Sequence, residues 1–247
     1  MKKIILLLVF FSAGTNVFAQ GFRLYSFIDQ RLATQKLDKE SIDDMETHLP
    51  KLLGMSIEAG ISADPVRSSY NGLTSALDQI NKGDVVIFYF AGAGDGKGTE
   101  TGKQKVYIGG KPVTHQEIID RVTRRGPKLA VILMEGSNSQ ALTKEGEYKH
   151  DHAGAVSKTS TKKLFDQLKS PADKGMLVYM NATEPPKPAQ KNYKTGSYFL
   201  SSFKNNLYDE LGESNPDWNN IINKVSAQVR EFSRNVQKPY GNTYSIR

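Results

Sequence analysis

The stretch DVVIFYFAGAGDGKG, Asp84 to Gly98, decides how the chain is read. Its first half, VVIFYF, is an unbroken run of aliphatic and aromatic residues. A half-exposed strand would alternate apolar with polar side chains. A run with no polar position instead fits a strand covered on both faces, as in a parallel sheet between two layers of helices. The second half carries Gly92, Gly94, Gly96 and Gly98, and the turn after a buried strand is where an open parallel sheet gathers its ligands.

A second run of the same kind, LAVILME (Leu129 to Glu135), breaks into EGSNSQ. Ahead of it Thr114-His115-Gln116-Glu117 has the T-x-x-E form of a capping box and opens the helix EIIDRV, which stops at Gly126-Pro127. Further out, FRLYSFI (Phe22 to Ile28) reads as a strand. It is followed by a helix with Ile42, Met45, Leu49 and Leu52 on one face. SSYNGLTSALDQI leads into Asp84, and VYIGGKPV reads as a small hairpin. A helical stretch near Thr161 to Lys169 precedes the strand GMLVYMNA, Gly175 to Ala182. Two helices close the chain, SYFLSSFKNNLYDEL and DWNNIINKVSAQVREFSRNV, the second with Pro216 in its first turn and Trp218 as a packing residue. Gln140 to Ser160 reads as a charged loop of about twenty residues. The alternation of strand and helix predicts an α/β fold, a doubly wound and mostly parallel sheet forming a single domain over residues 20–247.

The chain has 247 residues, a net charge of +7 and no cysteine. Lys2 and Lys3, the apolar run IILLLVFFSA and the small-residue pattern Val17-Phe18-Ala19 together predict a signal peptide over residues 1–19, cut after Ala19. The expected location is therefore secreted or periplasmic. The apolar run is too short to span a bilayer, so no membrane association is expected after cleavage. Without cysteine there is no disulfide and no thiol nucleophile, and the core alone must supply stability. The basic residues are scattered, with pairs such as Arg124-Arg125 and Lys162-Lys163 on helices or their ends, which points to solvated helix faces and not to nucleic acid. Gly92, Gly94 and Gly96 are followed by polar hairpin sequence where a dinucleotide fingerprint needs a helix. Gly102-Lys103-Gln104 lacks the hydroxyl of a phosphate loop. His150 and His152 form an H-x-H pair with no third histidine or cysteine to complete a metal set. No cofactor and no metal are expected.

FYFAGAGDG resembles the caspase and metacaspase motif in which a hydrophobic strand ends in S-G-H-G. VILMEGSNSQ resembles the strand of that family that ends in D-x-C. The HQEIIDRV helix between them, MLVYMNAT, GSYFLSSFKNNL and Gln237-Lys238-Pro239 match the family in order and spacing, from Gly21 to Tyr240. The resemblance implies a caspase-like, three-layer α/β/α sandwich around a mostly parallel central sheet. It also places the family's general-base histidine on Ala93 and its nucleophilic cysteine on Ser137. The amides of Gly94 and Ser137 fall on the oxyanion donors. Glu135 falls where metacaspase-like members carry the aspartate that recognises a basic side chain. The implied protein is an exported pseudopeptidase that binds a protein or peptide with basic residues, with a homodimer through a sheet edge as a further implication. Two alternatives stay open: a hydrolase in which His150 or His152 serves as a relocated base for Ser137, and an inactivated variant of a working cysteine peptidase. His48 and His115, on helices, read as ordinary surface or capping-region residues.

Overall fold

The computed structural model describes residues 20–95, 103–137, 140–143, 155–185 and 187–247. Its elements run β1 (Phe22–Ile28), α1 (Gln35–Leu53), β2 (Ile57–Ala63), α2 (Tyr70–Leu77), β3 (Val85–Ala93), β4 (Lys105–Ile108), β5 (Lys111–Thr114), α3 (His115–Thr123), β6 (Leu129–Ser137), β7 (Gln140–Thr143), α4 (Lys158–Phe165), β8 (Gly175–Asn181), β9 (Ala189–Asn192), β10 (Gly196–Ser197), α5 (Tyr198–Glu210), α6 (Trp218–Phe232) and β11 (Tyr240–Ile246). Six strands form the central sheet in the order β11-β8-β6-β3-β1-β2. All neighbours are parallel except β11, which runs antiparallel to β8 at one edge.

The unbroken apolar runs are explained by what lies on each face. Val85, Ile87, Tyr89 and Ala91 of β3 enter one core with residues of α1, α4, α5 and α6. Val86, Phe88 and Phe90 enter a second core with residues of α2, α3 and the β4–β5 hairpin. Successive strand residues point to opposite faces, so a strand packed on both sides favours apolar residues at every position and admits a polar one only with a partner. The expected three layers follow directly.

Two strands of the central sheet escaped the sequence reading for one physical reason. β2 and β11 are edge strands with a single neighbour, so neither carries a continuous apolar run. β2 is half-exposed, and a side chain at Gly60 would fall 1.7 Å from the Glu46 carboxylate that covers it. β11, YGNTYSI, is largely polar and holds its place by pairing with β8 along all seven of its residues. The charged loop expected over Gln140 to Ser160 is shorter than predicted. It begins as β7 and ends inside α4, and residues 144–154, which include His150 and His152, lie outside the described residues.

The caps also refine the reading. Thr114 Oγ1 accepts from the Glu117 amide at 3.1 Å, but the Glu117 carboxylate accepts from the Tyr70 hydroxyl, so only one arm of the capping box forms. Pro216 sits ahead of the N-cap Asp217 and not in the first turn of α6. Trp218 is a packing residue: it is fully buried, meets Phe165 edge-on at 5.6 Å, and donates from Nε1 to the Leu164 carbonyl at 2.9 Å. Thr114→Ala removes the one cap at the head of α3 and is expected to cost about 1 kcal/mol of stability, read as a shift of the urea midpoint at unchanged slope.

Candidate functional site

The site is built by the last three rungs of the β3–β6 ladder. These pair Ala91 with Glu135, Gly92 with Gly136 and Ala93 with Ser137. Parallel neighbours lie about 4.8 Å apart, so the two positions singled out in the sequence are adjacent at the carboxyl ends of two central strands. Ala93 is exposed there. A methyl group accepts no proton. Ser137 is assigned by its backbone register alone.

The glycine between Glu135 and Ser137 is required by packing. A side chain at Gly136 would fall 2.5 Å from Val106 Cγ1, and Gly94 forms an antiparallel bridge with Val106. Asp95 donates its amide to the Lys105 carbonyl at 3.1 Å. The β4–β5 hairpin therefore folds back over the second face of the strand ends, and the bare Gly136 leaves room for Val106. That is a different use of glycine from cradling a phosphate.

Glu135 is fully buried on the opposite face, and its carboxylate is already engaged. Oε2 accepts from the Tyr89 hydroxyl at 2.7 Å and from the Ser197 hydroxyl at 2.7 Å. Oε1 lies 3.1 Å from Lys191 Nζ, a close ion pair whose alignment falls outside hydrogen-bond geometry. The same Nζ donates to Asp38 Oδ2 at 2.8 Å, which also accepts from Thr34 Oγ1 at 2.9 Å. Asp38 Oδ1 accepts from the Ser197 amide at 2.7 Å. Gly196 makes this possible: its φ of +79° lies in the left-handed region, and a side chain there would sit 2.6 Å from Asp38 Oδ1. One ammonium is thus held by two carboxylates, with side-chain exposures of 1% for Lys191, 1% for Asp38 and 0% for Glu135.

Burial pushes the Glu135 carboxyl up, and the nearby charge of Asp38 pushes the same way, while Lys191 opposes both. Burial alone would lower the Lys191 ammonium, but the carboxylates of Glu135 and Asp38 outweigh it and hold the lysine charged. The Tyr89 hydroxyl is raised well above its ordinary value by burial and by Glu135, so it remains a donor. A basic peptide side chain arriving at Glu135 would meet a carboxylate already taken by a lysine of the same chain.

Lys191, Asp38, Tyr89, Ser197 and Thr34 were not singled out as site residues in the sequence. Ser197 alone left a local sign, as the residue before the SYFLSSF helix. It caps α5 by accepting from the Leu200 amide at 3.1 Å while donating to Glu135. Of the histidines, His48 lies exposed on α1, 3.4 Å from Asp44. His115 opens α3 directly after its cap Thr114, as one of the two expected alternatives had it, but it is buried and not a surface residue, and its Nδ1 lies 2.7 Å from the Tyr179 hydroxyl. Its ring is lowered to about 4 by burial, against a smaller upward pull from Asp95. Among the described residues no group of three or more histidines, cysteines or acids is arranged to hold a metal ion.

Two predictions follow from these buried groups. Lys191→Met strands two carboxylates without their cation and is expected to destabilise the fold by about 3 to 5 kcal/mol, measured by urea unfolding. His115 gives a signed pH dependence. Its folded value of about 4 lies below the ordinary 6.5, so the unfolded chain binds more protons between the two, and stability falls as pH drops through that window. This one group accounts for about 2 to 3 kcal/mol of the loss between pH 7 and pH 4.5. His115→Gln is expected to show a correspondingly smaller difference between the two pH values.

Comparison with known proteins identifies the family and the fold. The family model described as a caspase domain matches residues 34–246. The fold is similar to the crystal structure of caspase-1 from Spodoptera frugiperda, at 12% sequence identity and a TM-score of 0.50, over 92% of this chain and 86% of that one. At that identity the likeness concerns the fold alone. No curated protein sequence matches the chain.

Proposed function

The chain belongs to the caspase-domain family, and from that premise we propose that it is an exported member that does not hydrolyse peptides and uses the carboxyl ends of its central strands to bind a protein or peptide segment. The observation that carries this reading is the register pair Ala93–Ser137. The family's chemistry needs a thiolate and an imidazole beside it, because the anion attacks the carbonyl while the base takes up the thiol proton and then gives it to the leaving amine. Position 93 offers a methyl group, and position 137 a hydroxyl in place of a thiol.

Magnitudes support a loss of activity and not a mere reduction. A positioned general base contributes about a hundredfold to ten thousandfold, and an unactivated hydroxyl is a much weaker nucleophile than a thiolate. What a disabled protease retains over water, about a thousandfold, comes from binding and oxyanion donors. Here those donors are the amides at Gly94 and Ser137. The histidines within the described residues offer no replacement: His115 is spent on Tyr179, and His48 faces Asp44 on the surface of α1. Export rests on Lys2, Lys3, the apolar run and Ala19.

The test is turnover of peptides with basic and with acidic residues before the scissile bond, by the purified chain and by Ala93→His with Ser137→Cys. The original protein is expected to match the buffer blank, and the double reversion to gain thiol-dependent turnover. Turnover by the original protein that Ser137→Ala abolishes would overturn the reading.

A further inference from the structure

The buried cluster of Glu135, Asp38 and Lys191 has the composition of a receptor for one alkylammonium group. Two carboxylates from different elements, β6 and α1, converge on a single Nζ at 3.1 and 2.8 Å. Hydroxyls of Tyr89, Ser197 and Thr34 and the amide of Ser197 satisfy other lone pairs of the two acids. The cluster hangs from the carboxyl end of β6, two residues before Ser137, in the region where open parallel sheets place ligands. Its cation is delivered by β9, a short strand of a separate three-stranded sheet.

We propose that Lys191 is an internal ligand that keeps this acidic site occupied, so that the strand-end surface does not take up lysine or arginine side chains. The inference rests on the reading of the strand ends as a peptide-binding surface and adds a specificity to it: the sequence-based expectation of a basic peptide at Glu135 is answered by a lysine already in place.

The strand that carries Lys191 is pinned rather than poised to move. Leu142 of β7 is its parallel partner and Ser197 of β10 its antiparallel partner. The Gln190 amide donates to Gln237 Oε1 at 2.8 Å, and Gln237 Nε2 donates to the Ala182 carbonyl at 2.8 Å, tying β9 to the end of β8. Gln237, from the Gln237-Lys238-Pro239 motif, is itself fully buried. A competing side chain must displace a tethered cation whose effective concentration is in the millimolar range or above. A site vacant about one part in a hundred binds its ligand about a hundredfold more weakly than its intrinsic affinity.

The test compares two otherwise identical short peptides, one carrying lysine and one carrying norleucine, titrated into the whole protein. The original chain is expected to make no distinction between them. Lys191→Ala is expected to gain saturable stabilisation by n-butylammonium but not by n-butanol, and to prefer the lysine peptide by about tenfold or more. Adding Glu135→Gln is expected to remove both gains. A preference of the original chain for the lysine peptide that Glu135→Gln abolishes would overturn the proposal. So would a folded Lys191→Ala that ignores n-butylammonium, or one that accepts it yet remains blind to the lysine peptide, which would mark an interior salt bridge with no access from the ligand surface. If Lys191→Ala does not fold alone, its refolding yield with n-butylammonium against n-butanol replaces the thermal readout, and equal yields count against the proposal. Serine-dependent turnover by the original chain with no discrimination between the peptides would refute the non-hydrolytic reading alone.

Discussion

The in-register pairing of β3 with β6 is the interaction on which the rest depends. Nine rungs, from Val85–Leu129 to Ala93–Ser137, run through the middle of the sheet with helices on both sides. Because side chains alternate between faces, this one ladder assigns each residue near the strand ends to a layer. Glu135 falls on the face of α1 and α5, where Lys191 and Asp38 wait for it. Gly136 falls on the opposite face, where Val106 leaves no room for a side chain. A register slip of one residue would exchange the faces, bury Gly136 against the acidic cluster and drive the Glu135 carboxylate into the hairpin. Register is therefore as much a property of the site as of the fold.

The parts legible in the sequence were those whose physics is local or one-dimensional. β1, β3, β6 and β8 announced themselves because a strand packed on both faces is mostly apolar, and the buried charges they do carry are paired, Arg23 of β1 with Asp84 and Glu135 of β6 with Lys191. The head of α3 was visible because Thr114 caps it within three residues. β2 and β11 were not, since an edge strand satisfies half its backbone and keeps polar side chains. Positions 93 and 137 were legible as the ends of two such runs, and the ladder pairs them. Lys191 was invisible: in AQKN a lysine looks like a surface residue, and only the convergence of α1, β6, β9 and β10 buries it. Glu135 was visible as a position but not as half of an ion pair, because its partner lies 56 residues further along the chain, beyond any local pattern.

That ion pair changes what the strand ends are equipped to do. A buried carboxylate with a free oxygen would be an open invitation to a cation, but it would also be unstable, since an unpaired charge in such a place is costly. This chain resolves the conflict internally. The acidic position is retained at the end of β6, its charge is met by Lys191, and the second acid, Asp38, anchors the lysine to α1 and to the cap of α5. The consequence shown is structural: two carboxylates and one ammonium hold three elements together.

The methyl of Ala93 and the closed cluster around Glu135 lie at the ends of the same two strands, and the proposal that this surface does not hydrolyse peptides rests on them. The most direct measurement is the intact mass of the purified protein after exposure to a reporter fluorophosphonate, which forms a covalent adduct only with an activated serine. The account predicts no stoichiometric adduct. A single adduct mapped to Ser137 would mean that some base does reach that hydroxyl, and would contradict it.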